Sequence, residues 1–240
     1  MDVDDLAGVE RVLVVAAHPD DVDFGAAGSI ATWTDAGLDV TYCIITDGDA
    51  GGFDPAVPRE DIGGIRRAEQ IAAASTVGVS DVVFLGYPDG RLEPTIELRR
   101  DIIRVIRQVR PNRVVCQSPE RNYQRIYASH PDHLAAGEAT LSAVYPDARN
   151  PFAHPELARE GFEAWSVDEI WMMVGAKPDR YVDTTEVLDR KIKALLCHVS
   201  QMTNPDGIDE LIRGWGTMNA GLAGLPDGST AELFQCVDAR

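Results

Sequence analysis

Two adjacent carboxylates and a nearby imidazole are the first residues in this chain whose types and spacing suggest chemistry. They lie in Ala17-His18-Pro19-Asp20-Asp21, directly after the apolar run 12–16. A short β-branched run of this kind predicts a strand that is buried on both faces. Open α/β sheets bind ligands at the carboxyl ends of their strands. We therefore expect His18 to lie at the edge of such a crevice.

The turn after this strand predicts how the three side chains are arranged. Pro19 suits the first turn of a helix. Side chains three residues apart share one helix face, so His18 and Asp21 can converge on one point. Asp20 would face a different side, close enough to hold a water bound at that point. The pattern indicates two metal ligands, His18 and Asp21, and a base, Asp20.

A second histidine motif, Ser129-His130-Pro131-Asp132-His133, offers a third ligand. The apolar spacing that follows it is helical, which places His133 on a first helical turn. Ligands His18, Asp21 and His133 with water in an open position are typical of catalytic zinc. Each motif alone also fits ordinary turn and N-cap residues. The two together hold three of the five histidines and favour a metal site.

The two motifs together resemble the LmbE-like (PIG-L type) family of zinc-dependent N-deacetylases. Three further segments agree with this resemblance, which spans about residues 11 to 201: Arg66 and Glu69 on a helix, Gly86-Tyr87-Pro88-Asp89-Gly90 after a strand, and His198-Val199-Ser200-Gln201. The resemblance implies a metal-dependent amide hydrolase that removes acetyl groups from N-acetylated amino sugars or sugar conjugates. An amidase cleaving a thiol-sugar conjugate is the alternative within the family.

The resemblance also implies roles for individual residues. His18, Asp21 and His133 would bind Zn2+, although their chemistry also accepts another divalent ion such as Fe2+. Asp20 would be the general base, and His130 would assist the departing amine. Two positions depart from the family pattern. Val22 replaces a common Glu, and Ala128 replaces a Tyr that some sugar deacetylases carry, with Tyr127 one position away.

Two further residues are candidates for binding the small-molecule amino-sugar substrate. Arg66 lies on a predicted helix after a glycine-rich loop, where it resembles a substrate-contacting arginine of the family. Asp89 fits a turn by composition. Its place after a strand also directs it to the crevice, where it would accept hydrogen bonds from sugar hydroxyls. By contrast, we expect His198 to be a core residue or a support for the ligands.

Alternating strand-like and helix-like segments predict an α/β fold. Strands are expected at 11–17, 40–46, 82–85, 114–117 and 169–174, and helices at 26–36, 65–77, 96–109 and 185–200. This order favours a mostly parallel, Rossmann-like sheet flanked by helices, with right-handed crossovers. The metal site would then lie at the carboxyl ends of the strands. No linker or repeat interrupts the pattern, so we expect one domain over 1–240.

Composition restricts the partners and the compartment. The 22 basic and 39 acidic residues give a net charge of −17, which argues against nucleic acid and against an anionic membrane surface. No apolar run approaches the ~20 residues of a spanning helix, and residues 1–10 lack a basic signal region. We therefore expect a cytoplasmic protein without membrane insertion. Cys43 and Cys116 lie in strand-like runs and are expected to be buried, reduced thiols. Multimeric relatives of the family imply a homo-oligomer.

Three other classes of protein remain open. Non-haem iron oxygenases also use two histidines and a carboxylate, but their usual His-x-Asp spacing differs from the His-x-x-Asp found here. A nucleotide-binding module would suit the fold, yet the first turn lacks G-x-G-x-x-G. A non-catalytic metal-binding α/β protein fits as well, because fold does not fix function. Asp20 and His130 argue against it, since a structural metal site needs neither.

Overall fold

The computed structural model of the protein describes residues 1–4, 6–123 and 126–240. Within these ranges, strands and helices alternate along most of the chain. The strands are β1 (Asp2–Val3), β2 (Arg11–Ala16), β3 (Asp39–Thr46), β4 (Asp81–Tyr87), β5 (Arg113–Gln117), β6 (Glu169–Met173), β7 (Arg180–Asp183) and β8 (Ala231–Asp238). The helices are α1 (Asp21–Asp35), α2 (Arg59–Thr76), α3 (Ile96–Val109), α4 (Pro131–Ser142), α5 (Pro155–Arg159), α6 (Leu188–Leu195) and α7 (Pro205–Ala223).

The described strands form one sheet in the order β1-β7-β8-β6-β5-β2-β3-β4. Neighbours from β4 through β6 pair in parallel, whereas β8 runs antiparallel to both β6 and β7. The predicted mostly parallel α/β sheet flanked by helices is thus confirmed. The order reverses direction between β2 and β5, and ligands bind at such a switch point in open α/β sheets.

Helices cover both faces of the central strands, which explains the unbroken apolar run of β2. Leu13 and Val15 pack into a core layer with α3 and α4, while Val12 and Val14 pack into the opposite layer with α1. A strand that is buried on both faces gains nothing from polar alternation. Cys43 and Cys116 are fully buried in this core and unpaired, as predicted.

Two helix boundaries differ from the sequence-based expectation. Helix α1 begins at Asp21 rather than at residue 26, because its first turn carries site residues instead of the apolar spacing that marks the rest. The single helix expected over 185–200 is wrong. It is broken into a 3-10 turn (Thr185–Val187), α6, and a second 3-10 turn (Val199–Gln201). The break falls at His198, whose φ of −84° and ψ of 59° are not helical.

The C-terminal part adds elements that the sequence pattern did not predict, namely β7, α7 and β8. The strand β8 inserts between β6 and β7, and α7 packs against it. A search of the helices within the described ranges finds none with the length and apolar character to cross a bilayer.

Candidate active site

The predicted site residues come together at the carboxyl edge of the sheet. His18 follows β2, and Asp89 follows β4. His130 and His133 lie at the start of α4, which packs against β2 and β5. Gln117, the last residue of β5, accepts a hydrogen bond from the Ala17 amide at 2.9 Å and ties the two central strand ends together. The topology of the sheet therefore brings distant parts of the chain to one place.

Asp21 lies between two imidazoles. Its Oδ2 is 3.1 Å from His18 Nδ1, and its Oδ1 is 2.9 Å from His133 Nε2. His18, His130 and His133 each offer a nitrogen within 4.8 Å of the others. Oxygen and nitrogen donors that converge in this way are the kind that bind a divalent transition metal. The structure thus contains a candidate His/Asp metal site.

The other nitrogen of His18 faces two carboxylates. His18 Nε2 is 3.0 Å from Asp89 Oδ1 and 3.2 Å from Asp132 Oδ2. Asp132 is itself fixed by the amides of Gly90, at 2.7 Å, and Leu92, at 3.2 Å. Carboxylates in this position orient metal-binding imidazoles. The contact between Asp132 and His18 was not predicted from the sequence. The position of Asp132 between His130 and His133 could have indicated it.

Burial and charge shift the pKa values of these groups in opposite directions. Burial lowers the pKa of His18, but the charge of Asp21 and hydrogen bonds with Asp132, Asp21 and Asp89 outweigh it and raise the value to about 12. Burial also lowers the pKa of His133, but the Asp21 carboxylate outweighs this effect and raises the pKa. Burial would raise the pKa of Asp21, but the two imidazoles lower it. The Asp21 carboxylate thus favours protons on the two imidazoles. A cation bound at this site would replace those protons.

His130 has the opposite environment. Burial lowers its pKa, and the charges of His18 and His133 lower it further. Its Nδ1 accepts a hydrogen bond from the Asp132 amide at 3.2 Å, as the N-cap of α4. With Nδ1 acting as an acceptor, the proton of a neutral ring lies on Nε2. His130 therefore presents an N–H donor.

Asp20 has an uncommon backbone conformation for a residue that precedes a helix. Its φ of 89° and ψ of −28° lie in the left-handed region, and among the described residues its side chain makes no capping hydrogen bond. Burial and the charge of Asp21 raise its pKa to about 7, while Arg66 opposes the shift. Its carboxylate lies beside the ligand cluster and contacts Arg66 Nη2 at 3.2 Å.

Arg66 is buried, with 4% of its surface exposed. Its Nη1 donates to the Gly48 carbonyl at 3.0 Å and its Nη2 to the Pro19 carbonyl. A Cβ at Gly51 would lie 2.4 Å from Nη1, so the glycine-rich loop is shaped by the close approach of this guanidinium. Asp89 Oδ2 lies 3.7 Å from Nη1. Both predicted substrate residues thus lie beside the ligand cluster. Arg66 contacts backbone carbonyls and Asp89, and Asp89 contacts His18.

The two departures from the family pattern lie in different surroundings. Val22 lies in the first turn of α1 and is fully buried in the core layer that this helix shares with the sheet. Ala128 lines the cavity next to the site. The side chain of Tyr127, one position away, lies outside the described residues.

A cavity of about 490 Å³ opens from Asp21 and His133. It extends toward α7, where its wall is apolar and includes Phe24, Leu188 and Trp215. Gln117 and Ser118 line it as polar groups. Small-molecule sites are commonly pockets of this size with a few convergent polar groups.

Comparisons with known proteins find similar chains. Residues 13–144 match the PIG-L family, described as GlcNAc-PI de-N-acetylase. Diacetylchitobiose deacetylase of Thermococcus kodakarensis is 33% identical over 203 residues, which cover 85% of this chain and 73% of that protein. A probable N-acetyl-alpha-D-glucosaminyl L-malate deacetylase 2 of Bacillus cereus is 35% identical over 198 residues, covering 80% of this chain and 83% of that protein.

Solved structures extend the likeness over nearly the whole chain. N,N'-diacetylchitobiose deacetylase from Pyrococcus horikoshii superposes with a TM-score of 0.89 at 26% identity, over 98% of this chain and 86% of that one. The 4-carboxy-2-hydroxymuconate hydratase GalB of Pseudomonas putida superposes with a TM-score of 0.79 at 22% identity, over 96% of this chain and 97% of that one. The second likeness shows the fold alone, because one fold can host different reactions.

Proposed function

Because this chain belongs to the PIG-L family, we propose that it is a metal-dependent hydrolase that removes the acetyl group from an N-acetylated amino sugar. The observation that carries the proposal is the convergence of His18, Asp21 and His133 beside an Asp20 carboxylate that caps no helix. Relatives named as deacetylases of diacetylchitobiose and of N-acetylglucosaminyl malate support it.

His18, Asp21 and His133 would hold the cation. Zn2+ suits two imidazoles and one carboxylate, and Fe2+ is compatible with the same donors. When bound, such an ion polarises a carbonyl oxygen and lowers the pKa of coordinated water. Asp89 and Asp132 support the set, because both contact the far nitrogen of His18 and fix the direction of its ring.

Asp20 is the proposed general base. Its carboxylate lies at the edge of the ligand cluster and is not used as a helix cap. Its raised pKa, near the pH at which enzymes work, suits a group that must accept a proton from the attacking water and later release it. The adjacent Arg66 keeps a positive charge 3.2 Å from the carboxylate and favours its ionised form.

His130 is the proposed donor to the reacting amide. Its Nε2–H would stabilise the charge that develops on the carbonyl oxygen as water adds. The leaving nitrogen must be protonated before the C–N bond breaks, and the proton that Asp20 has accepted from the attacking water would supply it, while the neutral His130 ring assists by hydrogen bonding. The lowered pKa of His130 favours the neutral ring, so a hydrogen bond to the oxygen is the role that its ground state supports best.

Asp89 and Arg66 are the proposed substrate-facing pair on the other side of His18. Burial raises the pKa of Asp89, but its contacts with His18 and Arg66 outweigh burial and lower it. The ionised carboxylate would accept hydrogen bonds from sugar hydroxyls. Arg66 would add positive charge next to that carboxylate. The cavity opens from Asp21 and His133, and Asp89 and Arg66 are not among its lining residues; its volume suits a sugar with a group attached to it.

Acetate release tests this proposal directly. Protein loaded with zinc would be incubated with N-acetylglucosamine, diacetylchitobiose and the malate and inositol conjugates of N-acetylglucosamine. We expect acetate from at least one of them, and a decrease in kcat of roughly 10²-fold or more for Asp20→Asn. The matched control is Asp39→Asn, at the exposed start of β3. The proposal fails if no substrate releases acetate, or if the two variants are equally active.

A further inference from the structure

Asp20 has a left-handed backbone, which is uncommon for a residue with a Cβ, although Asp and Asn adopt it more readily than most. Residues with a Cβ rarely adopt a φ near the observed 89°. An N-cap residue ordinarily has an extended backbone that turns its side chain onto the first helical amides. With the left-handed conformation the side chain makes no such contact, and its carboxylate lies 3.2 Å from Arg66 Nη2 instead. Something outside the turn must therefore hold the conformation.

Two side chains of α2 form hydrogen bonds with the Pro19–Asp20 peptide, one with its carbonyl and one with its amide. The carbonyl of Pro19 accepts a hydrogen bond from Arg66 Nη2. The amide of Asp20 donates to Gln70 Oε1 at 2.8 Å. Arg66 and Gln70 are one helical turn apart and share a face. Gln70 is completely buried. Together they fix the plane of the peptide that sets the φ of Asp20.

A second contact holds the Gln70 amide in one orientation. Its Nε2 donates to Asp23 Oδ2 at 2.9 Å, and His198 Nε2 lies 2.8 Å from the same oxygen. Asp23 and His198 are both completely buried. The amide of Asp20 can only donate, so Gln70 must direct its oxygen to Asp20, and its nitrogen then faces the carboxylate oxygen of Asp23. A flipped amide would place two acceptors against each other.

The segment that carries His198 also holds α2 in place. Glu69, the neighbour of Gln70, accepts hydrogen bonds from the Ser200 amide and from Ser200 Oγ, both at 2.7 Å. These contacts give the late motif at residues 198–201 a structural role. The motif supports the helix whose side chains hold the turn.

We propose that Gln70, oriented by Asp23 and His198, is a positioning residue that holds Asp20 in its left-handed conformation and so makes it a base instead of a helix cap. The inference rests on the proposed function for its kinetic consequence. Its structural consequence, the backbone of Asp20, stands apart from any activity. Loss of the Gln70 contact should lower kcat while KM and metal content stay unchanged, because neither a ligand nor a substrate contact is removed.

The test compares Gln70→Met, which removes both hydrogen bonds at nearly constant volume, with Gln108→Met, an exposed control on α3. We expect kcat of Gln70→Met to fall about 10- to 100-fold, as a misplaced catalytic group does. KM and bound metal should stay within twofold of the wild type. In a crystal structure of this variant, Asp20 should leave the left-handed region. Wild-type kcat, or a loss of metal that accounts for the loss of activity, would overturn the proposal.

If Gln70→Met does not fold, two further variants that move a carboxylate from position 23 to position 70 test the same assignment. Gln70→Glu alone places a second carboxylate 2.9 Å from Asp23 and should lose kcat. Adding Asp23→Asn restores a donor between the two side chains and the original net charge. His198 can accept from the new amide by moving its proton to Nδ1, which has no partner among the described residues. The double variant should recover kcat to within about threefold of wild type, and no recovery would refute the assignment.

The two ways of failing can be told apart. If the wild-type protein releases no acetate from any substrate, the proposed function fails. The backbone of Asp20 in the Gln70→Met structure would still decide the positioning role. A left-handed Asp20 in that structure would reject the role, whatever the activity.

Discussion

Replacing Asp20 should make the metal-free protein more stable while it destroys activity. Two features of the wild-type residue cost free energy. The left-handed backbone of a residue with a Cβ costs about 1–2 kcal/mol. Burial beside Asp21 also disfavours the ionised carboxylate, since the pKa is raised to about 7. Asp20→Gly removes both costs, and Asp20→Asn removes the charge while keeping a side chain that tolerates this conformation.

The magnitude of the gain follows from these terms. Glycine loses about 0.5–1 kcal/mol through the entropy of the unfolded chain. The net gain for Asp20→Gly from the backbone is therefore between about 0 and 1.5 kcal/mol, or at most roughly 3–6 °C in Tm for a chain of this size. Arg66 keeps its contacts with the carbonyls of Gly48 and Pro19 in both variants.

The pH dependence separates charge from strain. An Asp whose folded pKa is raised binds protons more tightly in the folded state, so its contribution to stability decreases as pH rises from about 4 to about 7. Asp20→Asn lacks this decrease. Its stability relative to wild type should therefore increase between pH 4 and pH 7 and then level off. Urea unfolding of chelator-treated protein at several pH values measures this. If both variants are less stable than wild type at pH 8, the account of strain and burial at Asp20 is wrong.

The remaining predictions concern the ligands, the substrate and the thiols. His133→Ala should lose bound metal and activity together in elemental analysis, whereas His154→Ala, away from the site, should lose neither. With metal supplied in excess, because Asp89 also orients His18, Asp89→Ala should lower kcat/KM by an amount equivalent to about 1.5–3 kcal/mol, the worth of a charged hydrogen bond. Iodoacetamide at pH 8 should leave Cys43 and Cys116 unlabelled in native protein, because burial raises the pKa of both thiols to about 12. Rapid labelling of either would contradict that burial.

The parts of the fold that depend on local pattern could be predicted from the sequence. The apolar run of β2 and the alternation that follows it indicated a parallel sheet, and the structure has one. The C-terminal strand β8 could not be placed, because its antiparallel position between β6 and β7 is a choice among distant partners. The helix expected over 185–200 failed for a similar reason. The apolar spacing continues through His198, but the buried contact with Asp23, 175 residues away, breaks the helix there.

The site shows the same division between local and distant information. The spacing of His18 and Asp21 placed both on one side of a turn, and their contact at 3.1 Å agrees with it. The role of Arg66 was harder to foresee, since a helix pattern cannot tell that its donors reach the Pro19 and Gly48 carbonyls. The left-handed backbone of Asp20 leaves no mark in the sequence either. It depends on Gln70, which is 50 residues further along the chain.

We propose above all that His18, Asp21 and His133 hold a catalytic cation with Asp20 beside it. A crystal structure of zinc-loaded protein, with anomalous data at the zinc absorption edge, tests it most directly. We predict one strong peak at about 2.0–2.2 Å from His18 Nδ1, an Asp21 oxygen and His133 Nε2, with the Asp20 carboxylate near it but not bound to it. A peak between His18 Nε2, Asp89 and Asp132, the other cluster of possible ligands, would contradict the account. Direct coordination by Asp20 would contradict it equally.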